Sequence, residues 1–167
     1  YNLRVIEDAA HAFGSRYDGK LIGSFGDIVC FSFDGIKNIT SGEGGCIVTQ
    51  DETLKEIIKS KRSLGVENDY KKRFKNKRTW TPSVLKKGWR AHMSNIHASI
   101  GISQMKIMDI NFQNRKNFAK YYRQKLDELS SHLSIVEISD EHVPHILPII
   151  LKNDNRDNLR KYLADLN

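Results

Sequence analysis

The chain has 167 residues, with 27 Lys+Arg against 20 Asp+Glu and a formal net charge of +7. Its 28% charged and 39% hydrophobic composition, with 3 Pro and 11 Gly, excludes a disordered tail, a collagen-like repeat and a Pro-rich linker. Two cysteines cannot build a disulfide scaffold or a multi-cysteine metal framework, and no apolar run approaches the ~20 residues that span a bilayer.

The charge is concentrated. Lys55 to Arg90 holds 13 Lys/Arg and 3 Asp/Glu, a local net of +10, on a remainder of −3. Its centre is Lys71-Lys72-Arg73-Phe74-Lys75-Asn76-Lys77-Arg78. A basic run with an interleaved aromatic fits an anionic partner such as nucleic acid, a membrane surface or a phosphorylated ligand; it equally fits a solvated loop or helix face.

In chain order, Leu3 to Asp8 reads as a first strand, Gly26 to Phe33 as a second and Gly44 to Thr49 as a third. All are short and bounded by Gly or Asp. The first two are nearly continuous apolar runs, the pattern of a sheet covered on both faces. Asp51 reads as the N-cap of a helix carrying Leu54, Ile57, Ile58 and Leu64, with Gly65 as its stop. Residues 66–92 are irregular and basic. Ser94 caps a strongly apolar helix (Ile96, Ile100, Ile102, Met105, Ile107, Ile110) that turns amphipathic through Phe118, Tyr121, Tyr122 and Leu126, with a break expected near Asp109–Asn111. Strands Leu133 to Ile138 and His145 to Leu151 and a closing helix from Asp154 or Asn155 complete the pattern. The order predicts the end of an α/β domain, a helical connection, and the start of a smaller α+β domain. The boundary is expected at 108/109, giving units 1–108 and 109–167. Tyr1 stands almost directly before a strand, and neither piece reads as complete, so the chain is expected to be a stretch of a larger protein, with an uncovered apolar face if taken alone.

Asp8 ends a strand, where open α/β sheets bind ligands; its carboxylate suits a cation, a ribose hydroxyl or a protonated ring nitrogen, or else the cap of a helix begun by Ala9, Ala10 and Ala12. Lys37 lies between the Asp34-Gly35 turn and Gly42-Glu43-Gly44-Gly45, either a Schiff-base nucleophile or a surface lysine. Ser32 projects opposite to Phe31 and Phe33, so its hydroxyl either points into a site or is satisfied by backbone. The glycine cluster lacks phosphate-loop spacing and reads as a turn. His11, His92 and His97 lack metal-ligand spacing, and Cys30 reads as a core residue.

Together, the residues from Val5 to Thr49, with Glu-Asp-Ala-Ala-His-Ala, Gly-Ser-Phe-Gly-Asp, Phe-Ser-Phe, Lys-Asn and Gly-Glu-Gly-Gly in order, closely resemble the DegT/DnrJ/EryC1/StrS family of sugar aminotransferases. Gly88 to Met105 and Asn114 to Leu129 are similar to later helical blocks of that family. The resemblance implies a fold of the aspartate-aminotransferase type that binds pyridoxal 5′-phosphate (PLP), here part of the large domain and the start of the small one. It also implies the roles. Lys37 matches the lysine bonded covalently to PLP and acting as proton shuttle. Asp8 matches the partner of the pyridinium nitrogen, His11 a contact to the cofactor ring or its phenolic oxygen, and Ser32 a hydroxyl to its phosphate. No metal is implied. The expected partners are a nucleotide-diphosphate keto-sugar, an amino donor such as glutamate, and a second subunit in a homodimer with a shared active site. The expected location is cytoplasmic and the expected pathway a polysaccharide or amino-sugar one.

The sequence departs from the family at Gly88-Trp89-Arg90-Ala91-His92-Met93, where the pattern is Gly-Tyr-Asn-Tyr-Arg-Met. Arg90 then stands where the family's Asn reaches the phosphate of the neighbouring subunit's cofactor, and is expected to face a phosphate or to serve structure alone. The family's first half, with its phosphate loop and ring-stacking aromatic, lies outside these residues, so PLP binding by the 167 residues alone is expected to be weak or nil. Three rival readings are a nucleic-acid module using residues 71–78, a non-catalytic or truncated relative, and a dehydratase of the same fold. Retention of Lys37 and Asp8 disfavours the second; the third typically has His at the lysine position.

Overall fold

The computed structural model describes residues 1, 3–66, 84, 86–153 and 155–166. The basic block at 71–78 lies outside the described residues.

The central element is β4 (Ile28–Ser32), whose β-branched and aromatic residues favour an extended backbone. It pairs parallel with β1 (Ile6–Asp8) on one side and antiparallel with β5 (Gly45–Val48) on the other. The register sets Asp8 beside Cys30, Val29 beside Val48 and Phe31 beside Cys46. Side chains alternate along β4, so Val29 and Phe31 point to one face and Cys30 and Ser32 to the other. The first face is the core. Ala9, Val29 and Phe31 are buried there, with Ala12, Phe13, Ile22, Phe33, Cys46 and Val48 packed around them. The Phe13 ring stands edge-on to Phe31 and Phe33, with centroids at 5.3 and 5.5 Å. The opposite face is bare: Ile6 is 68% and Ile47 49% exposed. The expected uncovered apolar face is therefore this one, and the packing that the apolar runs call for on both sides exists on one side among the described residues. Burial pushes the Cys46 thiol up, and neighbouring Cys30 adds to the shift.

Between β1 and β4, β2 (Arg16–Tyr17) and β3 (Lys20–Leu21) form a small hairpin. Its Asp18-Gly19 turn has φ of 51° and 72°, the left-handed pair that a two-residue hairpin turn demands and that Asp-Gly tolerates. The Glu141 carboxylate accepts from both turn N–H groups, at 3.0 and 2.6 Å.

Helix α1 (Glu52–Lys61) starts at Asp51, whose carboxylate accepts from Leu54 N–H at 3.0 Å. It stops three residues before Leu64, which with Gly65 turns left-handed. Trp89 N–H and Ala91 N–H then donate to the Lys61 and Arg62 carbonyls, satisfying the helix's last acceptors. Helix α2 (Asn95–Met105) is capped by Ser94, and α3 (Met108–Asp127) follows it. The break falls at Lys106–Ile107, just before the expected Asp109–Asn111, where the ladder tightens to i−3 bonds from Lys106 and Ile107. Strands β6 (Leu133–Ile135) and β7 (Ile149–Leu151) pair antiparallel. They are shorter than the predicted runs. Pro144 and Pro148 cannot donate to a ladder, and the segment between the strands turns away to pack on residues 13–19. Helix α4 (Arg156–Asp165) closes the chain from Asn155.

Candidate functional site

The site is built at the carboxyl ends of the parallel pair β1 and β4, the edge at which α/β sheets bind ligands. Asp8 is the last residue of β1. No helix follows it; its Oδ1 accepts from Ala10 N–H at 3.1 Å, an Asx turn that starts the run to His11. The carboxylate is exposed and has no ion-pair partner among the described residues. Ser32 is the last residue of β4 and lies on the same sheet face as Asp8, because Asp8 pairs with Cys30, two residues before it. Its Oγ accepts a long 3.4 Å bond from Asp34 N–H, leaving the hydroxyl proton available.

Beyond Ser32 the chain makes a loop that is closed at its neck. Phe33 N–H donates to Gly44 O at 2.8 Å, and Ser41 N–H to Phe33 O at 2.9 Å. Lys37 sits at the middle of this loop. Its N–H donates to Asp34 O at 3.1 Å, and the residues after it, Asn38 and Ile39, are buried. Lys37 itself is half-buried, with no ion pair to its ammonium among the described residues. The glycine cluster forms the returning arm. Gly44 has φ of 148°, and a β-carbon there would collide with Met93 and with the Ser41 hydroxyl. The cluster is therefore a tight turn that lets α2's entry segment lie close to the lysine loop.

Segment 141–146 closes the site from the other side. Asn38 donates from Nδ2 to Val143 O at 2.9 Å and to Phe13 O at 3.2 Å. Val143 N–H donates to Ser15 Oγ at 3.0 Å, and Arg16 N–H to Glu141 O at 2.8 Å. The segment sets the His145 ring against the His11 ring, with centroids 4.2 Å apart. Burial, followed by the charges of His11, Lys37 and Arg115, holds His145 below the ordinary imidazole range. A cavity of about 370 Å³ is lined by both histidines together with Arg16, Val136 and His142.

Asp8 and Ser32 thus end neighbouring strands on one sheet face, Lys37 lies on the loop that follows Ser32, and His11 follows Asp8 by three residues. Arg90 has different neighbours. Its main chain bridges to Ser63 past the end of α1, and its exposed guanidinium makes no hydrogen bond or ion pair among the described residues. His97 donates its N–H to the Ser94 cap of α2 and lies beside Gly42. No cluster of three or more metal-ligating side chains forms among the described residues. His145, which falls in a predicted strand, lies outside β7 and packs on His11 instead; its Pro-flanked setting, Pro144-His145 with Pro148 beyond, disfavours a strand there.

The model of the DegT/DnrJ/EryC1/StrS aminotransferase family matches residues 1–167. The uncharacterised protein MJ1066 of Methanocaldococcus jannaschii is 38% identical over 168 residues, covering 99% of this chain and 44% of that protein. GDP-perosamine synthase of Escherichia coli O157:H7 is 36% identical over 172 residues, covering 98% of this chain and 42% of the synthase. Among solved structures, Helicobacter pylori PseC, an aminotransferase involved in pseudoaminic acid biosynthesis, superposes with a TM-score of 0.84 at 28% identity, covering 98% of this chain and 42% of PseC. The chain spans roughly two fifths of the length of these relatives.

Proposed function

From the premise that this chain belongs to the DegT/DnrJ/EryC1/StrS aminotransferase family, we propose that it carries the lysine-bearing part of an enzyme that transfers an amino group to a nucleotide-linked keto-sugar with pyridoxal 5′-phosphate. Glutamate is the proposed amino donor, a homodimer the proposed assembly and the cytoplasm the proposed location. The support from relatives is the nucleotide-linked sugar in the name of GDP-perosamine synthase and the description of PseC as an aminotransferase involved in the biosynthesis of pseudoaminic acid. The observation that carries the proposal is an exposed carboxylate and a hydroxyl at neighbouring strand ends, with a lysine on the next loop: Asp8 and Ser32 lie on the same face, and Lys37 on the neck-closed loop that follows.

This donor set fits the cofactor. A protonated ring nitrogen needs an unpaired carboxylate, a phosphate needs hydroxyl or N–H donors, and an aldehyde needs an amine. When bound, the cofactor draws electrons away from the Cα–H bond of an amine attached to it. Asp8 holds a proton on the ring nitrogen, an interaction that its lack of an ion-pair partner leaves open. Ser32 donates its hydroxyl proton to a phosphate oxygen. His11, held against His145, would contact the ring or its phenolic oxygen. Lys37 anchors the cofactor and then moves a proton at the substrate's Cα, with the loop neck at Phe33–Gly44 fixing where its main chain sits. Arg90, exposed on its bridge, would offer its guanidinium to a cofactor phosphate in the neighbouring subunit.

The test is borohydride reduction of the protein carrying this chain in its complete fold, after addition of pyridoxal 5′-phosphate, followed by peptide mapping. A phosphopyridoxyl adduct on Lys37 is expected, and its absence would sink the proposal.

A further inference from the structure

The loop that carries Lys37 is bonded mainly to itself. Ile36 N–H donates to Asp34 Oδ1 at 3.3 Å and Lys37 N–H to Asp34 O at 3.1 Å. Thr40 Oγ1 donates to Phe33 O at 3.3 Å, and Gly42 N–H to Thr40 Oγ1 at 2.8 Å. The neck bonds among Phe33, Ser41 and Gly44 close the loop onto the end of β4. Among the described residues, the hydrogen bonds that tie residues 34–43 to the rest of the chain belong to Asn38. Its Nδ2 donates to Phe13 O at 3.2 Å and to Val143 O at 2.9 Å.

Both partners are carbonyls, so the orientation of the amide is forced: turned over, it would set its oxygen against two others. Oδ1 is then left buried without a hydrogen-bond partner. Asn38 is only 6% exposed, and a buried acceptor with no donor is destabilising. A side chain kept in spite of that penalty calls for a reason besides stability. Its partners supply one. Phe13 follows Asp8 by five residues and His11 by two, and its ring stands edge-on against Phe31 and Phe33 in the core. Val143 is buried, its own N–H donates to Ser15 Oγ, and Glu141 just before it grips the Asp18-Gly19 turn. The Asn38 amide therefore joins the middle of the lysine loop to two pieces of main chain that are themselves fixed.

We infer that Asn38 is a positioning residue for Lys37: its side-chain amide holds the main chain of the lysine at a set offset from the run Asp8 to Phe13, and so limits the arc that the lysine amine sweeps. The inference rests on the functional reading above, which has Lys37 anchor the cofactor and then move a proton at the substrate's Cα. A loop fastened only at its neck would pivot there, and a displacement of about 1 Å at a reacting group lowers a rate on the order of 10²-fold. The amide acts through backbone alone, and contact with substrate or cofactor is no part of its role.

The experiment uses the active protein with its complete fold and two variants. Asn38→Leu removes both donors at nearly unchanged size, and Asn38→Ser keeps one O–H. Asn38→Leu is expected to lower kcat about 100-fold, with KM for both substrates within about twofold of the parent. Asn38→Ser is expected to fall between the two. A kcat within about twofold of the parent in Asn38→Leu, or in Asn38→Ser should the first variant fail to fold, would overturn the inference. Amide hydrogen exchange in the cofactor-free protein gives a readout independent of turnover. In either variant the Lys37 N–H is expected to exchange about tenfold faster while the β4 amides keep the parent's rate. Equal acceleration at both, the mark of a merely global loss of stability, or unchanged exchange at Lys37, would overturn it. Failure of the parent protein to form the Lys37 borohydride adduct would instead strike the functional reading, and the exchange result would still decide whether Asn38 tethers the loop.

Discussion

The two faces of the central sheet come from the same five residues of β4 and have opposite characters. Val29, at 1% exposure, and Phe31, at 8%, pack with Ala9 and Phe13 into a closed core. Cys30 and Ser32, one residue out of phase, share the other face with Asp8, where Ile6 and Ile47 stand exposed. The packed face fixes where the strand ends are, and the bare face, at the carboxyl edge, carries the polar groups. A period-2 alternation thus separates scaffold from chemistry within one strand. Helix α2 repeats the bare pattern, with Ile96 73% and Ile102 59% exposed despite an apolar sequence, as is expected of elements whose covering lies elsewhere in the fold.

The contrast can be broken by substitution, most sharply at the bare edge. In the active protein, Lys37→Ala is expected to lower the transamination rate by about 10³-fold or more, the scale of a lost proton-transferring group, with little change in thermal stability. Loss of stability without loss of rate would place Lys37 in the scaffold instead. The packed face should answer in the opposite way. Phe31→Ala is expected to cost about 3–5 kcal/mol in denaturant unfolding, whereas Ser32→Ala next to it should stay within ~0.5 kcal/mol and weaken retention of the cofactor. Equal destabilisation by the two would remove the distinction between the faces.

Smaller effects test the supports. Gly19→Val in the hairpin turn forces a β-branched residue to φ near 72° and should cost roughly 1–2 kcal/mol, read as a lowered Tm. Acidity probes two titrating groups in sequence. His145 is held below the ordinary imidazole value by burial and by the basic groups around it. Its contribution to stability is therefore complete above pH ~6.5 and is lost as pH falls from there toward its lower folded value, because the unfolded chain takes up the proton first. Asp51 is held below its ordinary value by the Leu54 N–H and then by Arg4. Its contribution is present above pH ~3.9 and fades only as pH drops through the lower folded value. Asp51→Ala should remove the second slope from a stability-against-pH curve and leave the first.

Much of the local structure was legible because its causes are local. Asp51 and Ser94 cap the helices that they were expected to cap, since a short side-chain oxygen three residues ahead of an apolar run has few better partners than the helix's own N–H groups. The three first strands lie within the predicted runs and are shorter than them, because pairing ends where the neighbouring strand ends. The Asp18-Gly19 hairpin is likewise encoded locally, by an Asp-Gly pair that tolerates the left-handed turn. Of the site, Asp8, Ser32, Lys37 and His11 were visible through their order and through family resemblance. The packing of His145 against His11 was not, because nothing local marks a contact between residues so far apart in the chain.

The sequence alone determined the alternation of faces, the helix starts, the turn chemistry and the order of carboxylate, hydroxyl and lysine, because each depends on residues a few positions apart. Only the tertiary structure decided which face of the sheet is left bare, where the long helix divides, and which distant segment bonds to Asn38 and Ser15. The two prolines kept residues 141–148 out of the β-ladder, and the buried Asn38 amide and Ser15 hydroxyl found their partners in that freed backbone. Long-range hydrogen bonds of this kind follow from the whole packed arrangement, since a buried polar group takes whichever partner the fold brings to it.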